Sequence, residues 1–308
     1  MQVINGTIDF QLKDKTAVAI GKFDGVHKGH ELILNTLMSY KERGYKTCVM
    51  TFDFPPNLFF VDAPNRTLMT AQEKRYVMAE MGVDILIEYP FRENTASISA
   101  ENFIEDVLLD QLKMGVVVAG TDCSFGHGAK GNAKMLKEFA KKHDFECIII
   151  DKIKDEKGQV ISSTLLRDIV IKGDVSDYMS KSRWPYFAHG NFKKSGGMGQ
   201  KFGLPFCVLA VDENKLLPAE GIYYTKVLHD DVYYPAISFV SGKKQRIETY
   251  MFDSNRNIGK DNVSVGFYQF VRKAFEGDES AYISQEKRIE QFKGELINAQ
   301  IWHREHPL

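Results

Sequence analysis

The chain has 308 residues, 44% of them hydrophobic and 26% charged, a balance that fits a folded globular protein of two domains and excludes a low-complexity chain. Forty basic and 41 acidic residues leave a formal charge of −1, which excludes a general attraction to nucleic acid and leaves only a local basic patch for such contact. No apolar run reaches the length of a membrane span, and the opening MQVINGTIDFQLKDK lacks the basic and apolar regions of a secretory leader. Neither a nucleic-acid nor a membrane partner is therefore expected. Four scattered cysteines, Cys48, Cys123, Cys147 and Cys207, form no C-x-x-C pair and read as thiols of a reducing cytoplasm.

The first half alternates strand and helix signals. Residues 16–20 form a short apolar run, and residues 31–43 have helical spacing ending at Gly44. Residues 47–52 are rich in β-formers. Thr70-Ala71-Gln72-Glu73 is a capping box that opens a helix to about Met81. Strands follow at 85–89, 116–119 and 145–150. A helix capped by Ser99 runs to Leu112, and others span 133–143 and 163–172. This rhythm predicts an α/β fold, a doubly wound parallel sheet whose ligand crevice lies beyond the strand ends. The character changes near Arg183-Trp184-Pro185. Short β-rich runs at 206–211, 221–228, 232–239, 247–252 and 263–270 predict a small antiparallel barrel, closed by an amphipathic terminal helix over 284–302. The boundary is expected around 180–186, giving domains 1–183 and 184–308.

Between the first strand and the first helix stands Gly21-Lys22-Phe23-Asp24-Gly25-Val26-His27-Lys28-Gly29-His30. Its glycines permit a tight turn and close approach of a ligand to the backbone. A helix starting after Gly29 offers N–H groups and a positive dipole end to an anion. His27 and His30, three residues apart, fall on one side of the first helical turn and are placed to donate to phosphate oxygens from a locally positive pocket. The string is neither a P-loop nor G-x-G-x-x-G. Two plainer readings stand beside it: a metal pair, which lacks further Cys or His nearby, and histidines that only cap the helix.

The string resembles the H-x-G-H signature of nucleotidyltransferases and, at full length, the start of the bacterial FAD synthetase family, which joins an FMN adenylyltransferase to a riboflavin kinase. Further segments are similar in order: Thr51 to Pro56 to the family's T-F-x-x-x-P, Thr70-x-x-Glu73-Lys74 to T-x-x-E-K, residues 118–126 to V-G-x-D/N-F-x-F-G, and Ile161 to Arg167 to I-S-S-T-x-x-R. The resemblance implies ATP and FMN as substrates, FAD and pyrophosphate as products, and Mg²⁺ with the ATP, for which no protein ligand is named. It assigns His27, His30 and Arg167 to catalysis. It gives Gly21, Phe23, Asp24, Gly29, Asp122, Ser163 and Thr164 to ATP, and Pro55, Pro56 and Phe125 to FMN. Alone, Phe125 reads as a core residue, Asp122 as a turn residue, and Ser163 with Thr164 as a helix cap.

The second half departs from the family. Its kinase string G-x-x-L-G-F-P-T-A-N holds Mg²⁺ and phosphates through Thr and Asn, but Gly199 to Val208 places Phe206 and Val208 there. Neither side chain offers oxygen to a hard cation. Glu248 aligns with the kinase's catalytic glutamate and, without those partners, reads as a relic or a surface residue. The expectation is an FAD synthetase that has lost its kinase. The alternatives are a bifunctional enzyme, a flavin-binding regulatory protein without catalysis, and a related transferase such as a cytidylyltransferase.

Overall fold

In the computed structural model the described residues are 1–53, 66–194, 206–242, 245–252, 262–273 and 285–307. The chain divides into two compact units, Met1–Ser163 and Thr164–Leu308. The first runs β1 (Gln2–Asn5), β2 (Thr16–Ile20), α1 (Lys28–Ser39), β3 (Lys46–Phe52), α2 (Ala71–Glu80), β4 (Ile85–Tyr89) and α3 (Ala100–Asn102, continued by a π-helical stretch Phe103–Gln111). It continues through β5 (Met114–Gly120), a small hairpin of β6 (Ser124–Phe125) and β7 (Gly131–Asn132), α4 (Ala133–His143) and β8 (Glu146–Ile150).

Six of these strands form one parallel sheet in the order β1-β4-β3-β2-β5-β8. From β2 the chain winds outward through β3 and β4, then crosses to β5 and β8 on the other side. The order therefore reverses between β2 and β5, and the crevice of a doubly wound sheet opens beyond Ile20 and Gly120. The central strands are apolar on both faces because helices cover them: Ala17, Val18, Ala19, Val116, Val117 and Val118 are wholly buried. Ile104, Leu108 and Leu136 complete a core that also holds Cys48 and Ile87.

The helix α5 (Ser163–Lys172) begins on the last residue of the first unit. In the second unit α6 (Val175–Lys181) precedes β9 (Tyr186–Lys194), β10 (Cys207–Ala210), β11 (Gly221–His229), β12 (Val232–Ser241), β13 (Arg246–Met251) and β14 (Asn262–Lys273). These strands close as an antiparallel barrel in the order β10-β13-β12-β11-β14-β9. Inside its wall Thr225, Ser238 and Thr249 are buried and link hydroxyl to hydroxyl at 2.8 Å, so each polar group is satisfied. Ile222, Tyr224, Ile237 and Phe252 pack against Phe292 and Ala299 of the terminal helix α7 (Gln285–Glu305).

The α/β sheet, the small barrel and the terminal helix are thus as expected from the sequence. Of the elements named above, four were not: β1, the β6–β7 hairpin, α6 and β9. Three are too short to carry a period. The nine-residue β9 holds Gly190 and three basic side chains, which mask its alternation. The first helix also begins three residues earlier than its apolar spacing suggests, for a reason found in the site.

Candidate active site

The turn from β2 to α1 lies at the sheet's switch point. His27 is the N-cap of α1, with extended backbone, and its Nδ1 accepts from the N–H of Gly29 at 3.1 Å and of His30 at 3.3 Å. The helix therefore starts at Lys28, and the reading that leaves the first N–H groups open to an anion is corrected for these two. A nitrogen that accepts carries no proton, so neutral His27 holds its proton on Nε2, pointing away from the cap as a donor. Gly29 makes this possible: a Cβ there would stand 3.0 and 3.1 Å from the His27 ring.

His30 stacks on His27, ring centroids 3.8 Å apart and 19° from parallel. Phe23, wholly buried, lies 5.1 Å from the His30 ring centroid, tilted by 53°. Phe23 holds a positive φ of 47°, a strained backbone for a bulky residue. Its ring fills the space a side chain at Gly21 would need, since a Cβ there would stand 3.0 Å from it. Phe23 thus packs by the His30 ring, and Gly21 leaves room for Phe23. Asp24 is buried too: its carboxylate accepts from the N–H of Leu68 and Met69 at 3.2 and 2.9 Å, and its carbonyl accepts from the Ser163 hydroxyl at 2.8 Å.

Burial pushes the His27 pKa down to about 4, opposed by the negative charge of Asp122. Burial, then His27 and Lys74, push His30 well below the usual histidine range. Both rings are neutral at pH 7, so the pocket's positive character does not come from the imidazoles. The Nδ1 of His30 is shut from solvent without a hydrogen-bond partner among the described residues.

Asp122 projects from the loop after β5, exposed and paired with Lys152 at 3.1 Å. Phe125, expected on the flavin ring, is 5% exposed and belongs to the core, where its ring meets Phe103 at 5.5 Å. It also lies against Gly131, where a Cβ would come within 2.3 Å of the ring. Pro55 and Pro56 fall outside the described residues. Thr164 and Arg167 stand on α5 in the second unit, Thr164 exposed and Arg167 half-buried.

One group that sequence reasoning left without a role, Lys74, also lies here. Lys74 Nζ donates to the Lys22 carbonyl at 2.8 Å and to the Thr51 hydroxyl at 3.2 Å. The T-x-x-E-K string marks the lysine; its capping box is formed, with Thr70 and Glu73 each bonding the other's backbone N–H.

In the barrel, Val208 stands directly opposite Glu248 on neighbouring strands. Phe206 is buried beside Tyr250 and Phe292, at ring distances of 5.7 and 5.8 Å. Glu248, far from being a surface residue, is buried and paired with the guanidinium of Arg246. The three residues are brought to one region, where Phe206 and Val208 offer no side-chain oxygen and Glu248 does. Among the described residues no helix is long and apolar enough to cross a membrane.

Residues 9–165 match the FAD synthetase family and residues 182–300 match the riboflavin kinase family. A protein of Buchnera aphidicola described as bifunctional riboflavin kinase/FMN adenylyltransferase is 27% identical over 308 residues, covering 96% of this chain and 97% of that one. One of the same description from Listeria monocytogenes is 28% identical, covering 88% and 89%. The fold matches a crystal structure described as a macrolide-efflux protein from Streptococcus pneumoniae with a TM-score of 0.82 and 25% identity, over 97% of this chain and 98% of that one. The glycine-histidine turn at the switch point and a match spanning more than half of the chain agree: this chain is an enzyme of the FAD synthetase family, a nucleotidyltransferase.

Proposed function

We propose that the first domain, residues 1–183, transfers AMP from ATP to FMN, giving FAD and pyrophosphate, and that the barrel domain, residues 184–308, no longer phosphorylates riboflavin. An oxygen of the FMN phosphate attacks the α-phosphorus of ATP as the bond to the β-phosphate breaks. The nucleophile is already anionic near pH 7, so no strong general base is required. Catalysis here is alignment and stabilisation of charge moving onto pyrophosphate.

The observation that carries this reading is the stacked, neutral histidine pair at the switch point. His27 offers Nε2–H to a phosphate oxygen, because its Nδ1 is held by the cap. His30, packed by His27 and Phe23, acts beside it on the transition state. Gly29 gives the nucleotide close access, and Asp122 serves the adenosine side. Ser163, Thr164 and Arg167 take the β and γ phosphates, the arginine by a two-pronged contact. Phe125 shapes the flavin side through the wall it builds, with Pro55 and Pro56 lining it.

Mg²⁺ is proposed to arrive with ATP. The described residues do not fit a protein-held ion: no three His, Cys, Asp or Glu side chains gather, and the Asp24 carboxylate is engaged by backbone N–H groups. Such an ion commonly keeps its waters and substrate phosphates. All four cysteines are thiols outside disulfides, which supports a cytoplasmic setting.

A second reading, the bifunctional enzyme, is favoured by the match of residues 182–300 to riboflavin kinase and by the relatives' descriptions. Against it stand buried Phe206, Val208 opposite Glu248, and the Arg246 pair. Purified protein incubated with ATP and Mg²⁺ plus either FMN or riboflavin decides both points. FAD and pyrophosphate from FMN, with no FMN from riboflavin, is the expected result. Robust FMN production overturns the loss of the kinase, and no FAD from FMN overturns the whole reading.

A further inference from the structure

We infer that Lys74, which lies outside the glycine-histidine turn, is a positioning residue for adenylyl transfer: its ammonium ties that turn to the end of β3 and presents a charge to His30. The inference rests on the adenylyl-transfer reading for its catalytic meaning.

Three groups close a triangle around the lysine. Nζ donates to the Lys22 carbonyl at 2.8 Å and to Thr51 Oγ1 at 3.2 Å, and Thr51 Oγ1 donates to the same carbonyl at 3.1 Å. Lys22 precedes Phe23, whose ring supports His30. Thr51 is 2% exposed, near the carboxyl end of β3 beside β2. The tie therefore fixes the strained turn to the rigid sheet, as precise placement of a reacting group demands.

The charge has a separate effect. His30 is faced by His27 across the stack and by Lys74 from α2, and both disfavour its protonation. Burial pushes the Lys74 pKa below the usual lysine value, opposed in part by the charges of Asp24 in the turn and Glu88 on β4. Glu88 is itself held by two bonds from Arg75. His27 is faced by Asp122. Burial does most to hold His30 uncharged, and His27 and then the Lys74 cation add to it.

The test is histidine titration by NMR without ATP or FMN, on wild-type protein, Lys74→Gln and Lys74→Arg, with His30 assigned by the signal missing in His30→Ala. Glutamine keeps donors and removes the charge; arginine keeps the charge. The expected result is a His30 midpoint at higher pH in Lys74→Gln and near wild type in Lys74→Arg. The kcat/KM for ATP in FAD formation falls about tenfold in Lys74→Gln, with its acid limb moved to higher pH. An unchanged His30 midpoint in Lys74→Gln overturns the inference. Lys74→Met is the second charge-removing variant, and collapse of both folds overturns the inference too, since the lysine is then only a structural tie. Wild-type protein that makes no FAD, with the titration shifted as stated, breaks the adenylyl-transfer reading and leaves the Lys74–His30 coupling standing.

Discussion

The turn before α1 and the Phe206–Val208 stretch of the barrel begin from similar instructions, glycine-rich strings beside a β-structure, and treat polarity in opposite ways. In the first, buried polar groups are kept and most are engaged. His27 Nδ1 closes the cap, Asp24 binds two backbone N–H groups, and Lys74 ties the loop to the sheet. In the second, Phe206 packs beside Tyr250 and Phe292, and the buried acid Glu248 is matched by Arg246. A site for charged substrates retains polarity that costs stability. Hydrocarbon packing such as that of Phe206 adds stability instead.

Substitutions in the two regions should therefore fail in different ways. Phe206→Thr leaves a cavity and buries a hydroxyl in the barrel. It should destabilise the protein by about 3 kcal/mol in urea denaturation and leave FAD formation by the folded fraction unchanged. A fall in turnover without a fall in stability would show that the barrel face still has a catalytic task. His30→Ala should show the reverse: FAD formation drops by about a hundredfold or more while circular dichroism stays the same. Near-normal turnover in that variant removes the role assigned to the ring. Gly29→Ala pushes a Cβ against the His27 ring and loosens its cap. A loss of about tenfold in kcat/KM for ATP is expected, and a wild-type value would show that the cap geometry tolerates displacement.

The smallest effect comes from pH. His27 titrates at about 4 in the folded protein against 6.5 otherwise, so the unfolded chain binds more protons between those values. Stability is full above pH 6.5, falls as pH drops toward 4, and levels off below that. From pH 7.5 to 6 this histidine alone removes less than about 1 kcal/mol. A His27→Gln variant should flatten that slope in melting experiments, and an unaltered slope would place the titration elsewhere.

Much of the fold was legible because local signals agreed with the tertiary outcome. Residues 85–89 and 133–143 form the strand and helix their patterns specify, and the box at Thr70 is made as written. The candidate site was legible in which residues gather at the turn, and less so in their manner of acting. The family resemblance gives Phe23 to ATP and Phe125 to FMN, yet both are core residues, as Phe125 alone already reads. Asp24 looks like a ligand and serves as a loop staple. Lys74 carries no signal of its own beyond a short string, because its partners come from residues 22 and 51.

By itself the sequence determined the order of strands and helices, the position of the glycine-histidine turn, and the chemical kinds of group available there. These depend on period, capping and backbone freedom, which act over a few residues. Only the tertiary structure decided that both imidazoles are uncharged and that Lys74 acts on His30. Those properties depend on desolvation and on charges brought together from distant segments, and no local pattern encodes them.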